Sequence, residues 1–221
     1  MANNESDKET TENVDKRLKL ILLGEVFTGK TSLINIYIKD KFNQNESSTV
    51  SPSFYTKLIN IKNKKYIINI WDTAGQEQFR SMNKIFIKDS DIILFVYDIT
   101  RKSTLEELSF WIKYVETCIG KNMAIYAVIG NKLDLYDKED ELKENNIKYD
   151  MVSTQEGKKF ADEIGAEFLE TSAKLNAPGL VNLINKLIIE YSNKFEVVIE
   201  NEKKEQVELK TPNDKKKKKC C

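Results

Sequence analysis

The sequence predicts one α/β domain: a mostly parallel six-stranded β-sheet with one antiparallel strand and five surrounding helices. Three observations carry this expectation. From Arg17 to about Phe195, short apolar runs alternate with amphipathic stretches, the pattern of strands joined through covering helices. The runs LKLILL, FYTKLINI, KYIINIWD, IILFVYD, MAIYAVIG and AEFLETS supply six strands. A length of 221 residues suffices for one domain with a full core and hardly for two.

In chain order, residues 1–16 are polar and acidic without apolar periodicity and read as a disordered arm. The domain proper spans 17–195. Its first strand, Leu18 to Leu23, enters a loop bounded by glycines, and a helical pattern follows over Thr31 to Lys39. Phe54 to Ile61 and Lys65 to Asp72 flank Lys62 to Lys64 closely enough to form a hairpin, which makes one strand antiparallel. Further helical patterns cover Gln78 to Lys88, Ser103 to Cys118, Thr154 to Ile164 and Gly179 to Ser192. Asp137 to Tyr149 is charged and weakly patterned, as a solvated insertion would be. Residues 196–221 form a charged tail ending in KKKKKCC, with Glu196 to Asp214 as its flexible tether.

Composition excludes several functions. The 40% apolar and 32% charged fractions are ordinary for a globular protein, and a net charge of zero gives no electrostatic case for nucleic acid. Three cysteines and no histidine argue against disulfide frameworks, Cys/His zinc sites and any histidine base. No apolar run is long enough for a membrane span and no signal-peptide core is present, so the chain is expected to stay in the cytosol unless something is attached to it.

The chemistry begins at GEVFTGKT. A strand before this loop and a helix after it are the context in which a phosphate-binding pattern counts. Successive amides of Gly24, Glu25, Val26, Phe27, Thr28 and Gly29, together with the helix N-terminus at Lys30, Thr31 and Ser32, make a concave positive site for phosphates. Lys30 would reach the β and γ oxygens, and the Thr31 hydroxyl would bind Mg²⁺. In WDTAGQE, Asp72 ends a strand where it can hold the metal through a water. Gly75 lets an amide approach the γ-phosphate, and Gln76 can orient an attacking water. Phosphoryl transfer needs position and charge more than a strong base, so a glutamine suffices.

Two tetrapeptides at strand ends then favour guanine over adenine. In NKLD, Asp134 can accept from N1 and the exocyclic amine of guanine, the stem of Lys132 would lie along the base, and Asn131 would brace the loop. In TSAK, Ser172, Ala173 and Lys174 complete the base site, the Ala173 amide meeting the guanine carbonyl. A site built around that acceptor rejects adenine because the carboxylate would be left unpaired.

Together these motifs resemble the guanine-nucleotide motifs of the Ras superfamily, on a P-loop NTPase G domain. Within it the chain is most similar to the Rab family, through INIWDTAGQEQFRS, LFVYDIT and the double-cysteine end. The GE opening of the loop looks like that of early-endocytic Rabs. The resemblance implies two nucleotide-sensitive switches, with Phe42 covering the guanine edge and Thr49 binding magnesium only with GTP present. It implies that Phe54, Trp71 and Phe86 form an exposed aromatic trio facing effectors; core packing is the competing reading for Trp71 and Phe86. It also implies an exchange factor, a GTPase-activating protein, a prenylation escort and a GDP-dissociation inhibitor as partners of a monomer.

Departures from the family pattern matter too. Val26 stands where the family commonly has glycine, serine or alanine, and a branched side chain there implies slow hydrolysis with binding intact. Val50 to Phe54 carries Ser51 and Pro52 in place of the usual glycine-containing first-switch sequence. Cys220 and Cys221 resemble a doubly geranylgeranylated end. Two lipids anchor firmly where one does not, and Lys215 to Lys219 adds attraction to anionic leaflets. The expected function is a GTP/GDP switch, a GTPase regulating vesicle traffic on the cytoplasmic face of an endomembrane. The alternatives are a hydrolysis-deficient, GTP-bound scaffold and, more remotely, a P-loop kinase or ATPase, in which NKLD and TSAK would have no role.

Overall fold

The computed structural model describes residues 14–43, 49, 52–73, 80–138 and 150–208. Among them six strands form one sheet: β1 (Lys16–Leu23), β2 (Ser53–Ile61), β3 (Lys64–Asp72), β4 (Ile92–Asp98), β5 (Ile125–Asn131) and β6 (Glu167–Glu170). The helices are α1 (Lys30–Lys39), α2 (Arg80–Ile87), α3 (Lys102–Glu106), α4 (Leu108–Ile119), α5 (Thr154–Glu163) and α6 (Leu180–Glu208). Short 3₁₀ turns lie at Leu133–Lys138 and Ala173–Leu175.

The spatial order is β2-β3-β1-β4-β5-β6. Only the β2–β3 pair is antiparallel, and its turn residues Lys62 and Asn63 both have positive φ (48° and 63°), the requirement of a tight two-residue hairpin turn. Central β1 and β4 are buried along most of their length, as parallel strands covered on both faces must be. Edge strand β2 instead alternates half-buried and exposed positions.

The pleat sorts side chains into two cores. Leu18, Leu20 and Leu22 face one side with Leu33, Ile34 and Tyr37 of α1 and Ile184, Leu187 and Ile188 of α6. Ile21 and Leu23 face the other with Phe95, Leu108, Trp111 and Val115, covered by α4 and α5. β1 pairs with β3 on one side and β4 on the other, so the order of strands reverses around it. Ligands of open α/β sheets bind at the carboxyl ends of strands at such a switch point, and the loop after β1 lies there.

Three boundaries differ from expectation. Lys16 is already in β1, and Asp15 exchanges hydrogen bonds with Lys65 (2.9 and 2.6 Å), so the sheet begins before residue 17. The helix expected over Ser103 to Cys118 is interrupted by a turn at Glu107, where no glycine or proline marks the break. The last helix passes Ser192 and Phe195 to Glu208, into the segment expected as a tether; no glycine or proline occurs between Gly179 and Pro212 to stop it. Most of the insertion expected over 137–149 lies outside the described residues. At α5 a capping box sets the start: Ser153 Oγ accepts from the Glu156 amide, and Glu156 accepts from the Ser153 amide at 3.0 Å.

Candidate nucleotide site

The loop after β1 is shaped by two glycines. Gly24 has φ 148°, and a Cβ there would lie 2.1 Å from the Val96 carbonyl oxygen. Gly29, at φ 91° on the threshold of α1, would collide with Asn131 Nδ2 at 2.2 Å. Between them the bulky residues are accommodated differently. Thr28 is buried, its hydroxyl donating to the Glu25 carbonyl at 3.0 Å. Val26 and Phe27 line the cleft, Phe27 with a left-handed φ of 61° and 61% exposed. Glu25 Oε1 accepts from the Val26 amide at 3.3 Å.

Lys30 is 5% exposed, its Nζ bonded to the carbonyls of Gly24 (3.0 Å) and Glu25 (2.8 Å). The ammonium is thus laid along the loop it would serve. Burial pushes its pKa down to about 8, against the opposing pull of Asp72 and Glu25.

Three oxygen groups meet at the next residue, Thr31. The Thr31 hydroxyl donates to Asp72 Oδ2 at 2.7 Å and lies 2.7 Å from the Thr49 hydroxyl. Two hydroxyls and a carboxylate from three separate segments are a hard-oxygen set of the kind that takes Mg²⁺. Thr73 ties the end of β3 to β1, its hydroxyl donating to the Leu22 carbonyl at 2.6 Å.

At the other end of the cleft, Asn131 bridges two loops: Nδ2 donates to the Thr28 carbonyl (2.9 Å) and Oδ1 accepts from the Ala173 amide (3.0 Å). The side chain thus ties the loop after β1 to the loop after β6. The Ala173 amide, expected to meet a guanine carbonyl, is engaged by Asn131, so reaching a base requires sharing or exchanging that bond. Asp134, its side chain 14% exposed, accepts from the Ser172 hydroxyl at 2.5 Å and lies 4.0 Å from Lys174 Nζ. Ser32, Phe42, Lys132, Asp134, Ala173 and Lys174 line the same cleft of about 310 Å³ as Lys30, Thr31 and Thr49.

Sequence reasoning missed Asp98. This buried carboxylate at the end of β4 accepts from Thr100 N and Oγ1 (3.0 and 2.7 Å), Arg101 Nε (3.1 Å) and Lys132 Nζ (2.7 Å). Burial would raise its pKa, but Lys132, followed by hydrogen bonds from Lys132 and Thr100, holds it below the usual carboxylate range. The Lys132 stem lies at the cleft while its charge rests on Asp98. A charged residue closing an otherwise apolar run was the available signal, since a buried carboxylate demands partners.

Phe54, Trp71 and Phe86 form a row away from the cleft residues, with ring centroids 4.9 and 5.0 Å apart. Phe54 is 52% exposed, while Trp71 and Phe86 pack partly against the α4 side of the core. Gly75, Gln76, Cys220 and Cys221 lie outside the described residues.

A model of the Ras family matches residues 19–193, most of the chain and every cleft element above. The chain belongs to the Ras family. It is 39% identical over 158 residues to the Ras-related protein Rab-21 of the dog, covering 72% of this chain and 66% of that one. The human Rab-21 gives 39% over 158 residues with 72% and 65% covered, and the mouse protein 38% with 72% and 66%. The match thus spans just under two thirds of these relatives' length. Family membership accounts for the six-stranded order and for the phosphate loop at the switch point beside β1.

Proposed function

We propose that this Ras-family chain is a Rab-type guanine-nucleotide switch that binds GTP and GDP with Mg²⁺ and hydrolyses GTP to regulate vesicle traffic. The convergence of Lys30, Thr31, Thr49 and Asp134 in one cleft, with Asp72 bonded to Thr31, carries this reading. Lys30 and the loop amides hold the β- and γ-phosphates, and Asp134 accepts from the purine edge. Thr31, Thr49 and Asp72 would hold magnesium, which neutralises phosphate charge as transfer proceeds. Thr49 and Gly75 reach for the γ-phosphate and so order two segments with GTP present; Gln76 orients the attacking water. Phe54, Trp71 and Phe86 offer the surface that effectors read, with exchange factor, GTPase-activating protein and GDP-dissociation inhibitor as regulators. Lipids on Cys220 and Cys221 would place the protein on an endomembrane, where the endosomal system fits the GE opening of the phosphate loop. No helix among the described residues is long and apolar enough to cross a membrane.

The test is saturable uptake of labelled GDP and GTP with Mg²⁺, resistant to competition by ATP. Its absence, or equal competition by ATP, removes the proposal. Mass spectrometry of the protein from its native cell checks the anchor, and an unmodified C-terminus excludes it.

Affinity should depend on pH through Lys30. A phosphate favours the charged ammonium, whose pKa of about 8 is that of the nucleotide-free cleft. Binding therefore takes up a proton once pH exceeds that value, so affinity falls on the alkaline side. From about pH 7 to 9 the loss should be about tenfold, read by calorimetry; a flat profile contradicts the assignment.

A second reading, a GTP-bound scaffold with negligible turnover, is favoured by Val26, which places a branched side chain against the cleft. Val26→Gly is expected to accelerate single-turnover hydrolysis by about tenfold or more, the scale of one freed transition-state contact. Equal rates would remove Val26 as the cause of slow turnover.

A further inference from the structure

Arg101 makes a contact that the nucleotide motifs leave unexplained. Its guanidinium spans two elements, Nε on Asp98 Oδ2 at 3.1 Å and one terminal nitrogen on the Val26 carbonyl at 3.0 Å. Val26 is 75 residues away along the chain. The backbone that presents Arg101 is pinned: its amide donates to the Asp98 carbonyl (2.9 Å) and the next amide, of Lys102, to the Asp150 carbonyl (2.8 Å).

The Val26 carbonyl and the Phe27 amide belong to one planar trans peptide, so their C=O and N–H point in opposite directions. Arg101 holds the carbonyl from one side and does not line the cleft, whereas Val26 and Phe27 do. The Phe27 N–H is thereby turned away from the arginine. A cation on the carbonyl also polarises the peptide and strengthens its N–H as a donor. Phe27 itself has a left-handed φ of 61°, the kind of backbone turn that aims successive amides into an anion-binding concavity.

Resting on the guanine-nucleotide reading above, we propose that Arg101 is a positioning residue for the diphosphate moiety of the nucleotide. Anchored on Asp98, it locks the Val26–Phe27 peptide so that the Phe27 amide donates to a phosphate oxygen beyond the α-phosphate. Asp98 also carries Lys132 at 2.7 Å, so one carboxylate sets the base-side lysine and the phosphate-side peptide together. Arg101 lies near enough to Lys30 to add to the lowering of its pKa, of which burial is the main cause.

The test compares wild-type, Arg101→Gln and Arg101→Lys full chains with Mg²⁺ and two probes, GDP and GMP. Arg101→Gln is expected to speed GDP release roughly tenfold, the scale of one charge-assisted hydrogen bond, and to leave GMP affinity within about twofold. The ³¹P resonance of the β-phosphate of bound GDP should move and that of the α-phosphate should not. The single ammonium of Arg101→Lys cannot span Asp98 and Val26 together, so this variant, which keeps the charge, should shift the β resonance in the same direction. A staple of purely structural value would weaken GDP and GMP alike or leave the β resonance in place, and either result overturns the proposal. Absence of GDP uptake by the wild-type chain removes the guanine-nucleotide reading and this one together; uptake with unaltered variants removes only this one.

Discussion

Lys30→Ala should lower the affinity for GDP and GTP roughly a thousandfold, the loss of two charge-assisted hydrogen bonds at about 2 kcal/mol each. Among the described residues no other cation is bonded to the loop carbonyls of Gly24 and Glu25, where the buried ammonium is held at 3.0 and 2.8 Å. The same substitution removes a charge whose burial is unfavourable, as its pKa of about 8 records, so the nucleotide-free fold should lose far less than the complex. Titration calorimetry gives the first quantity and urea unfolding without nucleotide the second. An affinity loss under about tenfold would mean that Lys30 braces the loop and does not grip phosphate.

Gly24→Ala should destabilise the fold by about 3 kcal/mol or more, combining an unfavourable left-handed backbone with overpacking. The obstacle is main chain: the new methyl would lie 2.1 Å from the Val96 carbonyl oxygen of β4, which no side-chain rotation can relieve. Either β1 and β4 separate at their carboxyl ends or the loop is rebuilt, and both move the phosphate amides. Gly165→Ala is the matched control, because a Cβ at this φ of 65° meets nothing within 4 Å and only the backbone strain remains. Urea midpoints of the two variants separate the contributions, and equal losses would show the contact with Val96 to be yielding.

The sheet was legible because its central strands are nearly uninterrupted apolar runs whose neighbours are amphipathic. IILFVYD is buried at every position, and nothing but a central parallel strand requires that. GEVFTGKT, Asp72 and NKLD were legible for a different reason: charged and glycine residues at the ends of buried strands need a purpose that packing does not supply. In the structure the Thr31 hydroxyl lies 2.7 Å from both the Thr49 hydroxyl and the Asp72 carboxylate. What could not be read was connectivity between loops. That Lys132 directs its charge to Asp98, and that Arg101 reaches back to Val26, depends on which loops the sheet order brings side by side, and no local pattern encodes it. The bond between the Ala173 amide and Asn131, 42 residues apart, was hidden for the same reason. The run of α6 past Phe195 was obscured by polar residues that lower the apolar signal without lowering helix propensity.

The central place of β1 also orders the birth of the protein. Its amide at Lys19 is satisfied by the Asp91 carboxylate, 72 residues later. Leu20, Ile21, Leu22 and Leu23 stand opposite Ile92, Ile93, Leu94 and Phe95. As a ribosome delivers this chain, β1 emerges with one flank unclaimed until β4 has followed it out. Closing so wide a loop is slow and leaves a greasy ribbon exposed meanwhile, which makes this interval the one in which a chaperone has most to protect.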